Sequence, residues 1–334
     1  TEMCAWIVSD EFASRRARLN ARGRYASAIP AEIAQAQLQI PADLLAELEF
    51  ATNQLVRFDA LQGLRAPLAS ILLRSESASS SEVENLTASA KQVALAELGL
   101  NTSKNASLIA DNARAMSAAV SLEGKLDVES LALKHSALLT RSRPDIAGKL
   151  RDRPVWIGGT SPHNAEFVGP QPERVSKSLE DLESFLRRTD IPRLAQIAIA
   201  HAQFETIHPF EDGNGRTGRA LVQVLLRAYG LATQSTIPLS AGLLSNTRGY
   251  FHALQTYRAG DAGPIIECFI TSATKAVDLG SILVDRIEVL VASYLERCSG
   301  RSGSVQRRLI PFLSQYPALD SNLVRELLQV SMPA

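Results

Sequence analysis

Leu44, Leu45, Leu48, Leu55, Phe58 and Leu61 repeat with the period of an α-helix, which predicts an amphipathic helix across residues 40–73. A serine-rich patch, residues 75–81, then reads as a break where another helix begins, with Val83, Leu86, Ala90, Val93 and Leu98 as its apolar stripe. Gly99, Asn101, Ser103 and Asn105 predict a turn, and helical periodicity resumes over 106–121 and 128–140. The period then changes. Val155-Trp156-Ile157 and Ala165-Glu166-Phe167-Val168 are β-type runs around a Gly/Ser/Pro turn, closed by Pro170 and Pro172, which predicts a small hairpin in an otherwise helical protein. Helices are expected at about 173–188, 191–207, 215–229, 246–258, 262–279 and 281–298. Gly300 and Gly303 bound a linker, and residues 306–334 read as helix, turn (Pro317, Asp320, Ser321) and helix, an incomplete helix-turn-helix. The expected fold class is all-α, in three regions: an N-terminal helical extension (1–100), a helical core with a β-hairpin (101–280) and a C-terminal helical segment (281–334).

Composition narrows the function classes. Alanine and leucine dominate a chain of 334 residues, and both favour helix. Basic and acidic residues balance at 35 each, so no global attraction to nucleic acid or anionic membrane is expected. Arg15, Arg16, Arg18, Arg22 and Arg24 cluster near the start, but Glu2, Asp10 and Glu11 dilute them, and the segment reads as a solvated helix face or a flexible arm. Cys4, Cys268 and Cys298 are odd in number and far apart, which argues for a reducing compartment rather than a disulfide framework. No apolar run reaches membrane-spanning length, and the expected location is cytoplasmic.

The densest chemistry lies in twelve contiguous residues, His208 to Arg219, between two predicted helices. His208 ends one helix, and the unperturbed pKa of a histidine lies near neutrality, so it can take a proton from a hydroxyl. Asp212 is a hard carboxylate suited to Mg²⁺. Gly213 and Gly215 allow positive φ and close approach of backbone to a phosphate. Asn214 can donate its side-chain amide to a phosphate oxygen. Arg216 and Arg219, three apart in the first helical turn, can clamp outer phosphates. Phe210 reads as an anchor plugging the loop into the core. His201, Glu205 and His208 share a helix face and could form a metal site, but the spacing lacks HExxH order, and a buried, hydrogen-bonded His201 is the favoured reading. Asp10, His135 and His163 stand apart and support no hydrolase triad.

This stretch resembles the signature of the Fic family, His-x-Phe-x-Asp/Glu-Gly-Asn-Gly-Arg-x-x-Arg, with every specified position filled. Residues 200–207, Leu133-Lys134-His135, Val155 to Gly159 and Pro238-Leu239-Ser240 are also similar to that family. The resemblance implies a helical enzyme that moves AMP from ATP to a Ser, Thr or Tyr hydroxyl of a target protein, with pyrophosphate leaving. His208 would be the general base and Asp212 the Mg²⁺ ligand. Gly213, Asn214 and Gly215 would cradle the α- and β-phosphates, and Arg216 and Arg219 would neutralise the β- and γ-phosphates. Ser80 to Asn85 resembles the family's inhibitory motif, which implies that Glu84, with Ser80 and Asn85, pairs with Arg219 and misaligns ATP. The alternative for the same residues is a capping box, with Ser81 as N-cap and Glu84 at N3. Ile157, Gly158, Gly159 and Thr160 would form a flap that registers a target segment by strand addition, the glycines letting another backbone approach. Tyr250 would contact adenine, beside Phe251 where the family often has a second tyrosine.

Three other functions stay open on sequence. A DNA-binding regulator would use the C-terminal segment with Arg297, Arg301, Arg307 and Arg308. A Fic-type enzyme could transfer another phosphate-containing group, or remove AMP. Self-modification and a homodimer are both compatible with the chain, and the target protein is not legible in it.

Overall fold

The computed structural model describes residues 1–6, 23–63, 69–100, 102–121 and 127–330. Thirteen α-helices and two small antiparallel sheets make up the described residues, an all-α fold with hairpins. The helices are α1 (Ala42–Gly63), α2 (Ala69–Val83), α3 (Ala90–Glu97), α4 (Lys104–Ser121), α5 (Val128–Leu139), α6 (Pro172–Leu186), α7 (Arg193–Ile207), α8 (Asn214–Ala228), α9 (Leu239–Leu244), α10 (Thr247–Arg258), α11 (Gly263–Arg297), α12 (Val305–Gln315) and α13 (Ser321–Leu328). The strands are β1 (Glu2–Trp6), β2 (Gly23–Ser27), β3 (Trp156–Ile157) and β4 (Phe167–Val168). No described helix is long and apolar enough to cross a membrane.

The centre of the molecule is α7. Every residue from Leu194 to Ile207 is buried, and α6, α8, α10 and α11 pack around it. A helix without a solvated face must lie inside a core. Its neighbours are amphipathic and close the core with Phe185, Phe204, Phe210 and Phe269. The reactive loop therefore leaves the C-terminal end of the best-buried helix, which gives it a rigid base.

Several expectations need correction. The N-terminal region is not wholly helical: β1 pairs with β2, from Glu2 opposite Ser27 to Trp6 opposite Gly23. Of the arginine cluster only Arg24 lies among the described residues, in β2; Arg15, Arg16, Arg18 and Arg22 lie outside them. Ala28 N donates to Val168 O at 3.1 Å, so the chain after β2 joins the edge of β4 and straps the second hairpin from behind.

The serine patch does not begin a helix either, for α2 runs through it. Ser77 Oγ and Ser81 Oγ donate to the carbonyls of Leu73 and Ser77 at 2.8 and 2.9 Å, so the hydroxyls are satisfied within the helix. Small side chains also let α2 approach the reactive loop closely. The two helices expected at 262–279 and 281–298 are one, α11. Gly280 is not a break but a packing site: a Cβ there would come 2.8 Å from Phe58 Cζ of α1. The C-terminal helices are present as expected. Arg307 and Arg308 donate to the carbonyls of Cys298 and Leu328, so two of the four arginines brace the segment itself.

Candidate active site

Helix α7 stops at His208, which adopts φ 50 and ψ 61 while its N–H still bonds to Phe204 O at 2.9 Å. A non-glycine residue in the left-handed region is strained and must be held there by its surroundings. Arg151 provides the hold. Its buried guanidinium donates to His208 O at 2.7 Å, Pro170 O at 2.6 Å, Arg153 O at 3.0 Å and Ile207 O at 3.3 Å. Sequence reasoning missed this residue, because nothing in its local pattern marks a guanidinium that serves backbone carbonyls.

Beyond His208 the loop is pinned by Phe210, fully buried as expected and stacked on His135 at 3.8 Å. His135 is not an isolated histidine. Gly148 N donates to its Nδ1 at 3.0 Å, which leaves Nε2–H to donate to Asp212 O at 2.9 Å. Asn214 also braces the loop. Its Nδ2 donates one N–H to Phe210 O at 2.8 Å and its Oδ1 accepts from Phe210 N at 2.9 Å, while the residue lines the cavity. Gly213, at φ 75, makes the turn into α8, whose first-turn N–H groups lack intrahelical partners.

A carboxylate already sits at that helix start. Glu84 Oε1 accepts from Arg219 Nη2 at 2.7 Å and its Oε2 from Arg216 Nε at 3.2 Å. Arg219 also donates to Ser80 Oγ at 2.9 Å and Ser80 O at 2.7 Å. The expected partner, Arg219, is therefore joined by Arg216. Gly215 leaves the room: a Cβ there would collide with Glu84 Oε1. The capping-box alternative fails, because Ser81 to Asn85 end a helix rather than begin one. Asn85 N bonds to Glu82 O at 2.8 Å and Leu86 N to Ser81 O at 3.1 Å, with Asn85 at φ 60, a Schellman-type C-terminus. That geometry aims Glu84 away from the end of α2 and at the positive end of α8.

These groups line one cavity of about 470 Å³, with Glu84, Glu205, His208, Gly213 to Gly215, Arg219 and Tyr250 on its walls. Burial, helped by Arg258, pushes the His208 imidazole down to about 4. Burial also pushes Glu205 up to about 7, Arg219 opposing and Glu84 adding to the shift. Burial disfavours the charge on Arg219, but Glu84, Tyr250 and Glu205 outweigh it, and the guanidinium is held more firmly protonated than usual. Tyr250 is buried, and its hydroxyl is engaged with His201 Nε2 at 2.8 Å, which bears out the hydrogen-bonded reading of His201. Phe251 beside it is 47% exposed.

The β3–β4 hairpin pairs Trp156 with Val168 and Ile157 with Phe167, and Trp156, Ile157 and Phe167 form a wall of the cavity. Gly158 and Gly159 both have positive φ, and a Cβ on Gly159 would come 2.5 Å from Asn164 O. The turn itself therefore demands glycine. Thr160 N donates to Asn164 Oδ1 at 3.0 Å, inside the same turn. Arg258, which sequence reasoning also missed, lies 3.7 Å over the Phe167 ring and joins the hairpin to α10. Asp212 is exposed at the mouth, one oxygen accepting from Gly213 N at 2.7 Å. No group of three His, Cys, Asp or Glu among the described residues is placed to hold a metal ion.

Residues 125–226, which include this loop and the helices on either side of it, match the Fic/DOC family. That segment is a Fic/DOC domain. Protein adenylyltransferase fic-1 of Caenorhabditis elegans is 30% identical over 143 residues, 42% of this chain and 26% of that protein. Protein adenylyltransferase Fic of Drosophila erecta is 27% identical over 158 residues, 46% of this chain and 29% of that protein. The chain thus spans little more than a quarter of the length of these curated relatives. In fold, the chain is similar to a Fic family protein from Desulfovibrio desulfuricans G20, with a TM-score of 0.63 at 24% identity over 89% of this chain and 87% of that one. Fic-1 from C. elegans follows with a TM-score of 0.57 at 20% identity, over 73% and 74% of the two chains.

Proposed function

We propose that the chain is a protein adenylyltransferase that moves AMP from ATP to a hydroxyl of a protein, and that Glu84 inhibits it. The observation that carries the reading is the seat of Glu84. Its carboxylate is held by Arg216 and Arg219 over Gly215, at the start of α8, in the same cavity as His208. Arginines, first-turn N–H groups and a missing Cβ form an anion site suited to phosphates. The name protein adenylyltransferase on the curated relatives supports the choice of ATP.

In this reading the acceptor hydroxyl attacks the α-phosphorus. The new O–P bond forms as the bond to pyrophosphate breaks, and the hydroxyl proton passes to His208. An imidazole held near 4 is neutral at physiological pH and free to accept it. Arg216 and Arg219 carry the charge that builds on the leaving oxygens. Asp212 fits a Mg²⁺ that arrives on the phosphates, because such an ion takes one or two protein carboxylates and keeps its waters, and it would add further charge neutralisation there. With Glu84 in place, Arg219 is engaged with a carboxylate and the outer phosphates lose their clamp.

Incubation with ATP labelled on the α-phosphate tests the reading. Glu84→Gly is expected to label itself and lysate proteins at least ~10-fold more than wild type, the effect of freeing an ion pair worth roughly 1.4 kcal/mol or more. His208→Ala in that background is expected to abolish labelling while nucleotide affinity stays within about threefold. Equal labelling by wild type and Glu84→Gly removes the inhibitory role, and undiminished labelling by His208→Ala removes His208 as the base.

A further inference from the structure

The last turn of α7 carries a second ionisable group that the mechanism above does not use. Glu205 Oε2 stands 3.9 Å from His208 Nδ1, and the two side chains are 7% and 16% exposed. Neither His208 Nδ1 nor Glu205 Oε1 has a well-formed hydrogen-bond partner, although the Glu205 backbone carbonyl lies close enough to the ring to favour its charged form. Buried polar atoms without partners are uncommon and costly, and here two of them belong to neighbours on one helix face. On one side the carboxyl packs against α8, since a Cβ on Gly218 would come 2.5 Å from Glu205 Oε1. Arg258 Nη2 donates to Glu205 O at 3.2 Å and fixes the backbone while leaving the carboxyl unspent. With Nδ1 buried, the accessible edge of the His208 ring is the one that bears Nε2.

We infer that Glu205 is the positioning residue for His208. Its carboxylate accepts the Nδ1 proton, keeps Nε2 bare toward the cavity, and stabilises the imidazolium formed when the acceptor hydroxyl gives up its proton. The activity part of this inference rests on the adenylyl-transfer reading. The hydroxyl proton goes to Nε2, the O–P bond forms, the bond to pyrophosphate breaks, and the Nδ1 proton stays on the ring. A 3.9 Å separation is long for a hydrogen bond, and such contacts tighten when substrate binds.

The charged groups facing the pair come from each packed element: Arg219 from α8, Tyr250 and Arg258 from α10, Glu84 from the end of α2, and Arg151 and Asp212 on the side of the ring. Glu84 raises the tendency of Glu205 to hold its proton. An engaged Glu84 therefore weakens the carboxylate that His208 needs, in addition to occupying the arginines.

The full chain labelled with ¹⁵N-histidine gives a readout that does not need activity, the His208 signals being those missing in His208→Ala. Glu205 and His208 titrate as a pair, so the wild-type His208 nitrogens should shift through a step near pH 7 as the pair takes one proton. Glu205→Gln should lose that step. In the Glu84→Gly background, Glu205→Gln should lower kcat roughly 10- to 100-fold with KM for ATP unchanged, and should remove the acid limb of the rate profile near pH 7. Glu205→Asp keeps the charge but retracts it, and should retain the step with an intermediate kcat. Melting temperature and ATP affinity report folding for each variant. An identical His208 titration in wild type and Glu205→Gln overturns the inference, even if kcat and stability both fall. If Glu84→Gly transfers no AMP, the adenylyl-transfer reading fails by itself, and the titration still decides the Glu205–His208 contact.

Discussion

Arg151 spends one guanidinium on four backbone carbonyls around His208, and burial pushes its pKa down to about 10, so water is not a ready substitute partner. Arg151→Met keeps the length and removes the donors. It is expected to cost about 3 kcal/mol in urea unfolding, because several buried acceptors lose their partners at about 1–3 kcal/mol each. A loss under about 1 kcal/mol would mean that these bonds do not hold the loop. The contrast with His208, Gly213, Gly215, Arg216 and Arg219 explains what the sequence could reveal. Those five lie in twelve contiguous residues, where order along the chain is order in space. Arg151 is 57 positions from His208, and only the packing of the hairpin and α7 brings them together. Asn214 shows a second role that only packing reveals. Its type suited a ligand contact, and the tight turn at Phe210 left two backbone groups that its amide also satisfies.

At the level of elements, the hydrophobic period located the helices of the core and missed breaks and continuities that depend on neighbours. The serine run of α2 is polar by composition, yet Ser77, Ser80 and Ser81 are buried, because hydroxyls that bond to the preceding turn fit a close helix contact. Gly280 reads as a breaker in a sequence, but in α11 it is the place where Phe58 of α1 fits. Gly280→Val is expected to lower stability by about 1–3 kcal/mol, the usual result of overpacking, although valine alone would suit the helix better than glycine. Thermal unfolding checks this: an unchanged or raised Tm would mean that α1 and α11 do not meet there. The same closeness matters for function, since α2 delivers Glu84 to α8 only if the helices between 42 and 297 hold their spacing.

For the molecule as a whole, buried ionisable groups set how stability follows pH. Burial pushes His201 down to about 3, against about 6.5 in an unfolded chain. Between those values the unfolded state binds more protons, so the contribution of His201 is full above pH 6.5 and is lost as pH falls through that window. His208 acts with the same sign down to about 4. Glu76, engaged by Ser240 N and Oγ at 2.8 and 2.7 Å, and Glu205 are both pushed up to about 7, chiefly by burial. Each therefore lowers stability as pH rises from about 4.5 to 7. The opposing pairs leave a plateau between about pH 5 and 6.5 and a fall below it. Between pH 6 and 4, His201→Gln is expected to lose about 2 kcal/mol less than wild type in urea unfolding; equal losses would show that His201 is not held neutral.

Which phosphorus is attacked beside His208 decides the reaction. Glu84→Gly protein incubated in parallel with ATP labelled at the α- or the γ-phosphate answers this directly. Transfer of the α-label alone, abolished by His208→Ala, is the predicted result. Transfer of the γ-label, or α-label transfer that survives without His208, would contradict it.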